Sequence, residues 1–276
     1  MQVIEKIAEM RQIRNKIDGS VGFVPTMGYL HEGHLSLVKR AKEENPLAVV
    51  SIFVNPTQFG PKEDFKTYPR NTKRDLSMLE PLTDIVFMPS DSEMYPENYD
   101  SWVEVKDITE RLEGAVRPGH FRGVTTVVNK LFNIVQPKKA YFGQKDAQQV
   151  AVIKKMVAEL NMPLEIVTCD TVREPDGLAM SSRNTRLTLE QRQAAPVLYR
   201  ALTLAQELWS QGEKDAGTIR HEMTELIEKE PLANIDYISI SNNKTLKEIH
   251  RVKPPALVSM ALKFGKVRLI DNIVLE

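Results

Sequence analysis

Two histidines, His31 and His34, stand three residues apart, directly after a short apolar run and a turn that contains glycine. If the following residues form a helix, both imidazoles lie on one face of it, beside the partial positive charge of the helix N-terminus. Such a position binds anions, phosphate above all, and Gly28 and Gly33 let a ligand approach the backbone closely. The same spacing fits two histidines that only cap a helix, so the pair alone favours neither interpretation.

Zinc is disfavoured at this pair. Zinc-binding HExxH helices carry their histidines four residues apart, and the first acidic residue after His34 is Glu43. The single cysteine of the chain, Cys169, offers no second thiolate for a metal site and no partner for an intramolecular disulfide. Phosphate is therefore the preferred ligand, and the cysteine usage predicts a protein of the reducing cytoplasm.

The stretch from 117 to 145 contains six basic residues and no Asp or Glu, although the 37 Lys and Arg of the whole chain balance its 37 Asp and Glu. Such a local excess of positive charge suits a polyanionic substrate such as a nucleoside triphosphate. For Lys130, Lys138 and Lys139 a solvated helix face is the preferred interpretation. Lys145 differs because it follows a predicted strand, where open α/β sheets bind ligands. The basic residues are Arg117, Arg122, Lys130, Lys138, Lys139 and Lys145.

A third polar segment, Met180 to Asn184, places the hydroxyls of Ser181 and Ser182 next to the guanidinium of Arg183. These groups could clamp the β- and γ-phosphates of a nucleotide from a mobile loop. By itself the segment also fits an ordinary domain linker.

The elements that must position these residues change character along the chain. Apolar runs at 21–25, 47–55 and 84–89 are continuous rather than alternating, which is typical of parallel strands covered on both faces. They alternate with helical patterns, and strand and helix follow each other at least four times before residue 176. We therefore predict a doubly wound parallel α/β sheet.

After residue 176 the pattern predicts two amphipathic helices, over 187–212 and 218–230, followed by three alternating strands. This order is typical of a smaller α+β domain with an antiparallel sheet. The turn signal at Asp176-Gly177 sets the predicted domains at 1–176 and 177–276.

Zero formal charge and composition exclude two classes of partner. A neutral chain does not attract nucleic acid by general electrostatics. The N-terminal residues lack the apolar segment of a signal peptide, and no apolar stretch approaches the roughly 20 residues of a membrane helix. We expect no nucleic-acid partner and no membrane association.

Taken together, the motifs resemble those of a known family. The histidine pair and the Met180 to Arg183 segment resemble the HIGH and KMSKS motifs of nucleotidylyltransferases and class I aminoacyl-tRNA synthetases. The finer match is to the pantothenate synthetase (pantoate–β-alanine ligase) family, and it covers essentially the whole chain. Small departures are Tyr29 and Thr57, where the family often has Ala and Met, and Arg74, where an acidic residue can precede Asp75. The five motifs, in order, lie at 23–34, 53–60, 117–123, 141–146 and 180–184.

The resemblance implies an ATP-dependent condensation of (R)-pantoate with β-alanine through a pantoyl adenylate, releasing pyrophosphate and then AMP. It implies a homodimer that uses Mg²⁺, with an ATP- and pantoate-binding domain at 1–176 and a lid at 177–276. The ATP-binding residues it assigns are Met27, Gly28, Tyr29, Leu30, His31, Glu32, Gly33, His34, Gly143, Gln144, Lys145, Asp146, Val172, Met180, Ser181, Ser182 and Arg183.

The resemblance also assigns individual roles. The catalytic residues would be His31, His34, Lys145 and Arg183, with His34 as the usual proton donor. Pantoate would be held by Gln58 and Gln149, and β-alanine by Gln58. Asp75 could contact the metal ion.

This chemistry is consistent with the residue types. The carboxylate of pantoate is already ionised near neutral pH, so adenylation needs alignment and charge stabilisation rather than a general base. The amine of β-alanine must lose a proton later, and the AMP phosphate or bulk water could accept it. The alternatives are a nucleotidylyltransferase acting on another small acid or phosphate, and a nucleotide-binding regulatory protein without turnover. The short chain and zero charge disfavour a tRNA synthetase.

Overall fold

The computed structural model describes residues 1–61, 63 and 65–276, and they divide into two compact units. Unit 1 comprises 1–143 and 149–169, and unit 2 comprises 144–148 and 170–276. Within the described residues, no helix has the length and apolar character needed to cross a membrane.

Unit 1 is built on a six-stranded parallel sheet with the strand order β1-β4-β3-β2-β5-β6. The predicted doubly wound sheet is confirmed. The strands are β1 (Gln2–Ile4), β2 (Val21–Thr26), β3 (Leu47–Ile52), β4 (Ile85–Phe87), β5 (Lys139–Gly143) and β6 (Glu165–Cys169). The accompanying helices are α1 (Ile7–Arg14), α2 (Glu32–Glu44), α3 (Thr72–Leu79), α4 (Asp91–Met94), α5 (Glu113–Val116), α6 (His120–Val135) and α7 (Ala147–Glu159).

The direction of winding reverses at the centre of this sheet. Strand β2 pairs with β3 on one side, where Phe23 faces Val49, and with β5 on the other, where Phe23 faces Ala140. In open α/β sheets, ligands bind outside the carboxyl ends of the strands at such a switch point. The ends of β2 and β5 are therefore the places where chemistry is expected.

The continuous apolar runs are strands buried on both faces, as predicted. Val21, Phe23 and Val24 of β2 have no exposed surface. Strand β1 was not predicted, because three residues are too few to show a periodicity, yet it pairs with β4 and buries Ile4 completely.

Unit 2 contains a three-stranded antiparallel sheet in the order β7-β8-β9, which confirms the predicted α+β character. The predicted single helix over 187–212 is wrong: it is two helices that meet at Pro196, which has no amide hydrogen to continue the first one. The elements are α8 (Leu189–Ala194), α9 (Val197–Ser210), α10 (Ala216–Glu228), β7 (Asn234–Asn242), β8 (Ala256–Phe264) and β9 (Val267–Leu275).

Apart from 144–148, which also belong to unit 2, the division between the units falls after Cys169, whereas the sequence placed the change at Asp176-Gly177. The segment before Asp176 joins unit 2 because Arg173 bridges Ala179 and forms an ion pair with Asp271. The functions assigned to 1–176 and 177–276 stay predictions.

Candidate active site

The turn after β2 has an unusual backbone that one buried carboxylate holds in place. Gly28 and Tyr29 both have positive φ angles, 77° and 52°. Asp75, in the first turn of α3, accepts hydrogen bonds from the amides of Tyr29 (2.7 Å) and Leu30 (2.8 Å), and it is 1% exposed. A Cβ on Gly28 would lie 3.1 Å from the Asp75 Oδ2 atom. The turn therefore needs glycine and the carboxylate together.

The same geometry bears on the magnesium assigned to Asp75. Both carboxylate oxygens already accept backbone amides. Among residues 1–61, 63 and 65–276, no group of three His, Cys, Asp or Glu side chains is arranged to hold a metal ion. The observed partners of the Asp75 carboxylate are the two backbone amides of the turn, and the metal contact assigned to Asp75 stays a prediction.

Two residues that the resemblance marked as departures, Tyr29 and Arg74, contact each other here. The guanidinium of Arg74 lies 5.5 Å from the centroid of the Tyr29 ring, a cation–π distance. The turn is thus held by Asp75 on its backbone and by Arg74 on its side chain.

A cavity of about 230 Å³ lies beside this turn. Asp75 and Asp91 contribute to its wall, together with residues that follow the carboxyl ends of β2, β3 and β4. Asp91 is exposed, unlike Asp75.

The histidine pair lies at the start of α2, with His31 as the residue that precedes the helix. The two rings are 4.1 Å apart, and the His31 amide donates to His34 Nδ1 at 3.4 Å. Because Nδ1 accepts, the neutral His34 ring carries its proton on Nε2. One ring nitrogen caps the helix and the other is a hydrogen-bond donor, so the two interpretations of the pair are compatible.

Gln58 lies in the one-turn helix Pro56–Gln58 after β3, with a buried and fixed amide group. Its Oε1 accepts from Asn55 Nδ2 at 3.1 Å, and its Nε2 lies 3.1 Å from the sulfur of Met27. The structure therefore brings Gln58, predicted for pantoate, next to Met27, predicted for ATP.

Asn55 orients Gln58 and is itself oriented by two hydroxyls. Its Oδ1 accepts from Tyr95 (2.7 Å) and from Thr57 Oγ1 (2.9 Å). Burial raises the pKa of Tyr95 to about 12, so the phenol stays protonated and remains a donor. Since the Asn55 oxygen accepts, its Nδ2 must point at Gln58.

A second set of contacts holds the main chain of Gln58. Arg117 donates two hydrogen bonds of 2.6 Å to the Glu63 carboxylate. His120 Nδ1 lies 2.8 Å from the Gln58 carbonyl oxygen. A carbonyl only accepts, so Nδ1 carries the hydrogen and Nε2 accepts from Arg117 Nη1 at 3.1 Å. Burial, with the neighbouring Arg117 charge, lowers the pKa of His120 to about 4.

This arrangement predicts a pH dependence of stability. His120 is neutral in the folded chain down to about pH 4, whereas in the unfolded chain it takes up a proton near 6.5. The unfolded state therefore binds more protons between these values, and the free energy of unfolding should fall by about 2–3 kcal/mol as the pH drops from 6.5 to 4. Denaturant titrations at about pH 6.5 and about pH 4 measure this fall. It should shrink in His120→Gln but not in His221→Gln, an exposed control, and equal falls in both variants would contradict the assignment.

Helix α6 packs directly on the same loop. A Cβ on Gly123 would lie 2.3 Å from the carbonyl oxygen of Thr57, so only glycine allows this approach. Together with Arg117 and His120, Gly123 makes the motif at 117–123 a support for the Gln58 loop.

Four of the six basic residues of the cationic stretch have separate partners in the structure. Arg117 pairs with Glu63 and Lys139 with Glu44, while Arg122 lies over Trp102 and Lys130 over Tyr99. Sequence reasoning missed Asn55 and His120, although both lie in quoted motifs. Glu63 and Tyr95 lie outside every motif and left no signal.

In unit 2, two segments predicted to bind ATP contact each other. The Met180 amide donates to the Val172 carbonyl oxygen at 3.0 Å, which places these two predicted residues side by side. Ser181 Oγ accepts from the Arg183 amide at 3.2 Å and caps a short 3₁₀ helix, Ser182–Arg186. The predicted loop is therefore a capped helical turn.

The remaining predicted residues follow β5. Gln144–Asp146 form a 3₁₀ turn in which Lys145 Nζ lies 3.5 Å from Asp146 Oδ1. Gln149 lies in α7 of unit 1 and is half-buried.

A doubly wound parallel sheet, with a histidine pair on the helix that follows its central strand, defines an α/β protein of the nucleotide-binding class. The chain belongs to the pantoate-beta-alanine ligase family, whose pattern matches residues 2–274. It is 58% identical over 277 residues to the pantothenate synthetase of Herpetosiphon aurantiacus, covering 100% of both chains.

Solved structures of pantothenate synthetases have a similar fold. The pantothenate synthetase of Thermus thermophilus superposes with a TM-score of 0.95 at 47% identity, covering 99% of both chains. The pantoate-beta-alanine ligase of Francisella tularensis, complexed with beta-gamma ATP and beta-alanine, gives a TM-score of 0.82 at 38% identity, covering 99% of this chain and 97% of that one.

Proposed function

We propose that the protein joins pantoate to β-alanine at the expense of ATP, through a pantoyl adenylate. A carboxylate oxygen of pantoate attacks the α-phosphorus of ATP, the bond from this phosphorus to the bridging oxygen of the β-phosphate breaks, and pyrophosphate leaves. The amine of β-alanine then attacks the acyl carbon, loses a proton, and AMP leaves. The observation that carries the proposal is the family match, which runs through residues 2–274 and includes every motif described above.

Charge stabilisation is the task assigned to the ATP-binding residues. His34 would donate its Nε2 hydrogen to a phosphate oxygen, which fits the tautomer fixed by the His31 amide. Lys145, Arg183 and the Ser182 hydroxyl would bind the phosphates as they gain charge. The set comprises Met27 to His34, Gly143 to Asp146, Val172 and Met180 to Arg183.

Pantoate would be held by amides rather than charges. Gln58 and Gln149 can bond hydroxyl and carboxylate groups without neutralising the attacking carboxylate. Gln58 suits this task because Asn55 already holds its amide, so little order is lost on binding. Gln58 would also contact β-alanine.

Magnesium would arrive with the phosphates of ATP, an ion that keeps several waters and needs few protein ligands. We further propose, from the family resemblance, a homodimer in the cytoplasm. Light scattering on the purified protein tests the dimer.

One assay separates the candidate functions. The protein is incubated with ATP, Mg²⁺ and pantoate, with and without β-alanine, and pyrophosphate, AMP and pantothenate are measured. The ligase releases pyrophosphate once per active site without β-alanine and turns over with it. Nucleotide binding without product would indicate a regulatory protein, and turnover only with another acid or phosphate would indicate a different nucleotidylyltransferase.

Replacing Gln58 with alanine should raise the KM for pantoate about ten-fold and the KM for ATP far less, because one hydrogen bond to a charged substrate is lost. Steady-state kinetics with each substrate varied in turn measure both values. Gln12→Ala, at an exposed position of α1, is the matched control. Equal rises in the two KM values would contradict the assignment of Gln58 to pantoate.

A further inference from the structure

One buried amide in unit 2 holds the turn that carries Lys145. Asn272, in strand β9, is 4% exposed. Its Nδ2 donates to the carbonyl oxygens of Gln144 (3.0 Å) and Lys145 (2.9 Å), and its Oδ1 accepts from Gln144 Nε2 (2.9 Å). Both hydrogens of one side chain are thus used on two consecutive residues that lie 128 and 127 positions away in the sequence.

Asn272 is fixed in turn by its neighbour in β9. Its backbone amide donates to Asp271 Oδ1 at 2.8 Å. Asp271, 2% exposed, accepts two bonds from Arg173, of 2.6 and 3.0 Å. Arg173 also donates to the Gly177 carbonyl oxygen at 3.0 Å and lies 4.4 Å from the Tyr199 ring. Two adjacent residues of one strand therefore hold both the Lys145 turn and the segment around Arg173.

We infer that Asn272 is a positioning residue for Lys145 in adenylate formation. A lysine side chain has a flexible four-carbon stem, so its ammonium samples many positions. It spends more time near the phosphates when the backbone of the lysine is held in one place. The three hydrogen bonds of Asn272 supply that fixed backbone. Loss of the Asn272 amide lets the turn relax and lowers the fraction of time that Lys145 spends at the phosphates.

This inference rests on the proposed role of Lys145, so the test separates the two. Single-turnover pyrophosphate release is measured at saturating ATP, Mg²⁺ and pantoate in the full chain. Lys145→Ala should lose about 100- to 1,000-fold in rate, as when one transition-state donor is removed. Asn272→Ala should lose about 10- to 100-fold, and its KM for pantoate, measured separately in steady-state kinetics, should stay unchanged.

The double variant, Lys145→Ala with Asn272→Ala, tests whether Asn272 acts through Lys145. If Asn272 acts through Lys145, Asn272→Ala should slow the Lys145→Ala protein by less than about three-fold. Slowing by the same factor as in the parent protein would overturn the inference, even with the role of Lys145 intact. A parent-like rate for Lys145→Ala would overturn the role of Lys145 and the inference with it.

Control variants test whether a lower rate comes from the lost hydrogen bonds or from a loss of stability. Ser259, which faces Asn272 across the sheet and is 6% exposed, offers a matched variant, Ser259→Ala, expected to keep the parent rate. If Asn272→Ala does not fold, Asn272→Ser, which keeps a single donor, should give an intermediate rate. A parent-like rate for a folded Asn272→Ser or Asn272→Ala would also overturn the inference.

Discussion

His34→Ala should release pyrophosphate about 100- to 1,000-fold more slowly than the parent protein in a single turnover, while its melting temperature changes little. We expect the large effect on rate because the Nε2 hydrogen would stabilise charge that develops in the transition state. Removing one such donor typically slows a reaction by about 100- to 1,000-fold. The small effect on stability follows because the cap that His34 makes to the His31 amide is long, 3.4 Å.

Two variants sharpen this experiment. His221→Ala removes an exposed histidine of α10 and should leave the rate unchanged. His34→Asn keeps a hydrogen-bond donor and should recover part of the lost rate. A histidine that only caps α2 would give the opposite result in the alanine variant, namely a lower melting temperature with an unchanged rate.

Asp75→Asn should lower both activity and stability, since an amide cannot replace the carboxylate between two backbone donors. The substituted amide offers one oxygen and turns its own N–H groups toward the other donor, leaving a buried N–H unsatisfied at a cost of about 1–3 kcal/mol. We expect a melting temperature several degrees lower. We also expect adenylate formation to slow about 100-fold, because the turn carries the backbone toward His31 and His34.

The dependence on Mg²⁺ separates this role from metal binding. If Asp75 acts on the turn, raising the Mg²⁺ concentration should not restore the activity of Asp75→Asn. Restoration by Mg²⁺, with an unchanged melting temperature, would show a metal ligand instead. Asp91→Asn is the matched control, because Asp91 lines the same cavity but is exposed.

The parallel sheet could be predicted because strands buried on both faces leave continuous apolar runs, and 47–55 is one of them. Short strands such as β1 carry too few residues for a pattern. The break at Pro196 was missed because the apolar spacing continues through it while the helix does not.

Prediction from the sequence has the same limit at the candidate site. His34 could be singled out from the spacing of the histidine pair, and Gln58 from the family resemblance of the motif that contains it. The supporting roles of Asp75 and Tyr95 could not be predicted, because Asp75 meets the Tyr29 amide from 46 positions away and Tyr95 meets Asn55 from 40. Carboxylates and phenols that act on a distant backbone or amide look like ordinary polar residues until the fold brings them together.

The contact between Tyr29 and Arg74 has a consequence for exchanging residues among relatives. The resemblance predicts that both positions depart from the usual family motif, and the ring and guanidinium lie 5.5 Å apart beside the same turn. Residues that touch contribute non-additively, so neither position has a value of its own. In a chimaera or a consensus sequence, we therefore expect that exchanging one residue alone leaves the other without this contact, so the two should be exchanged together.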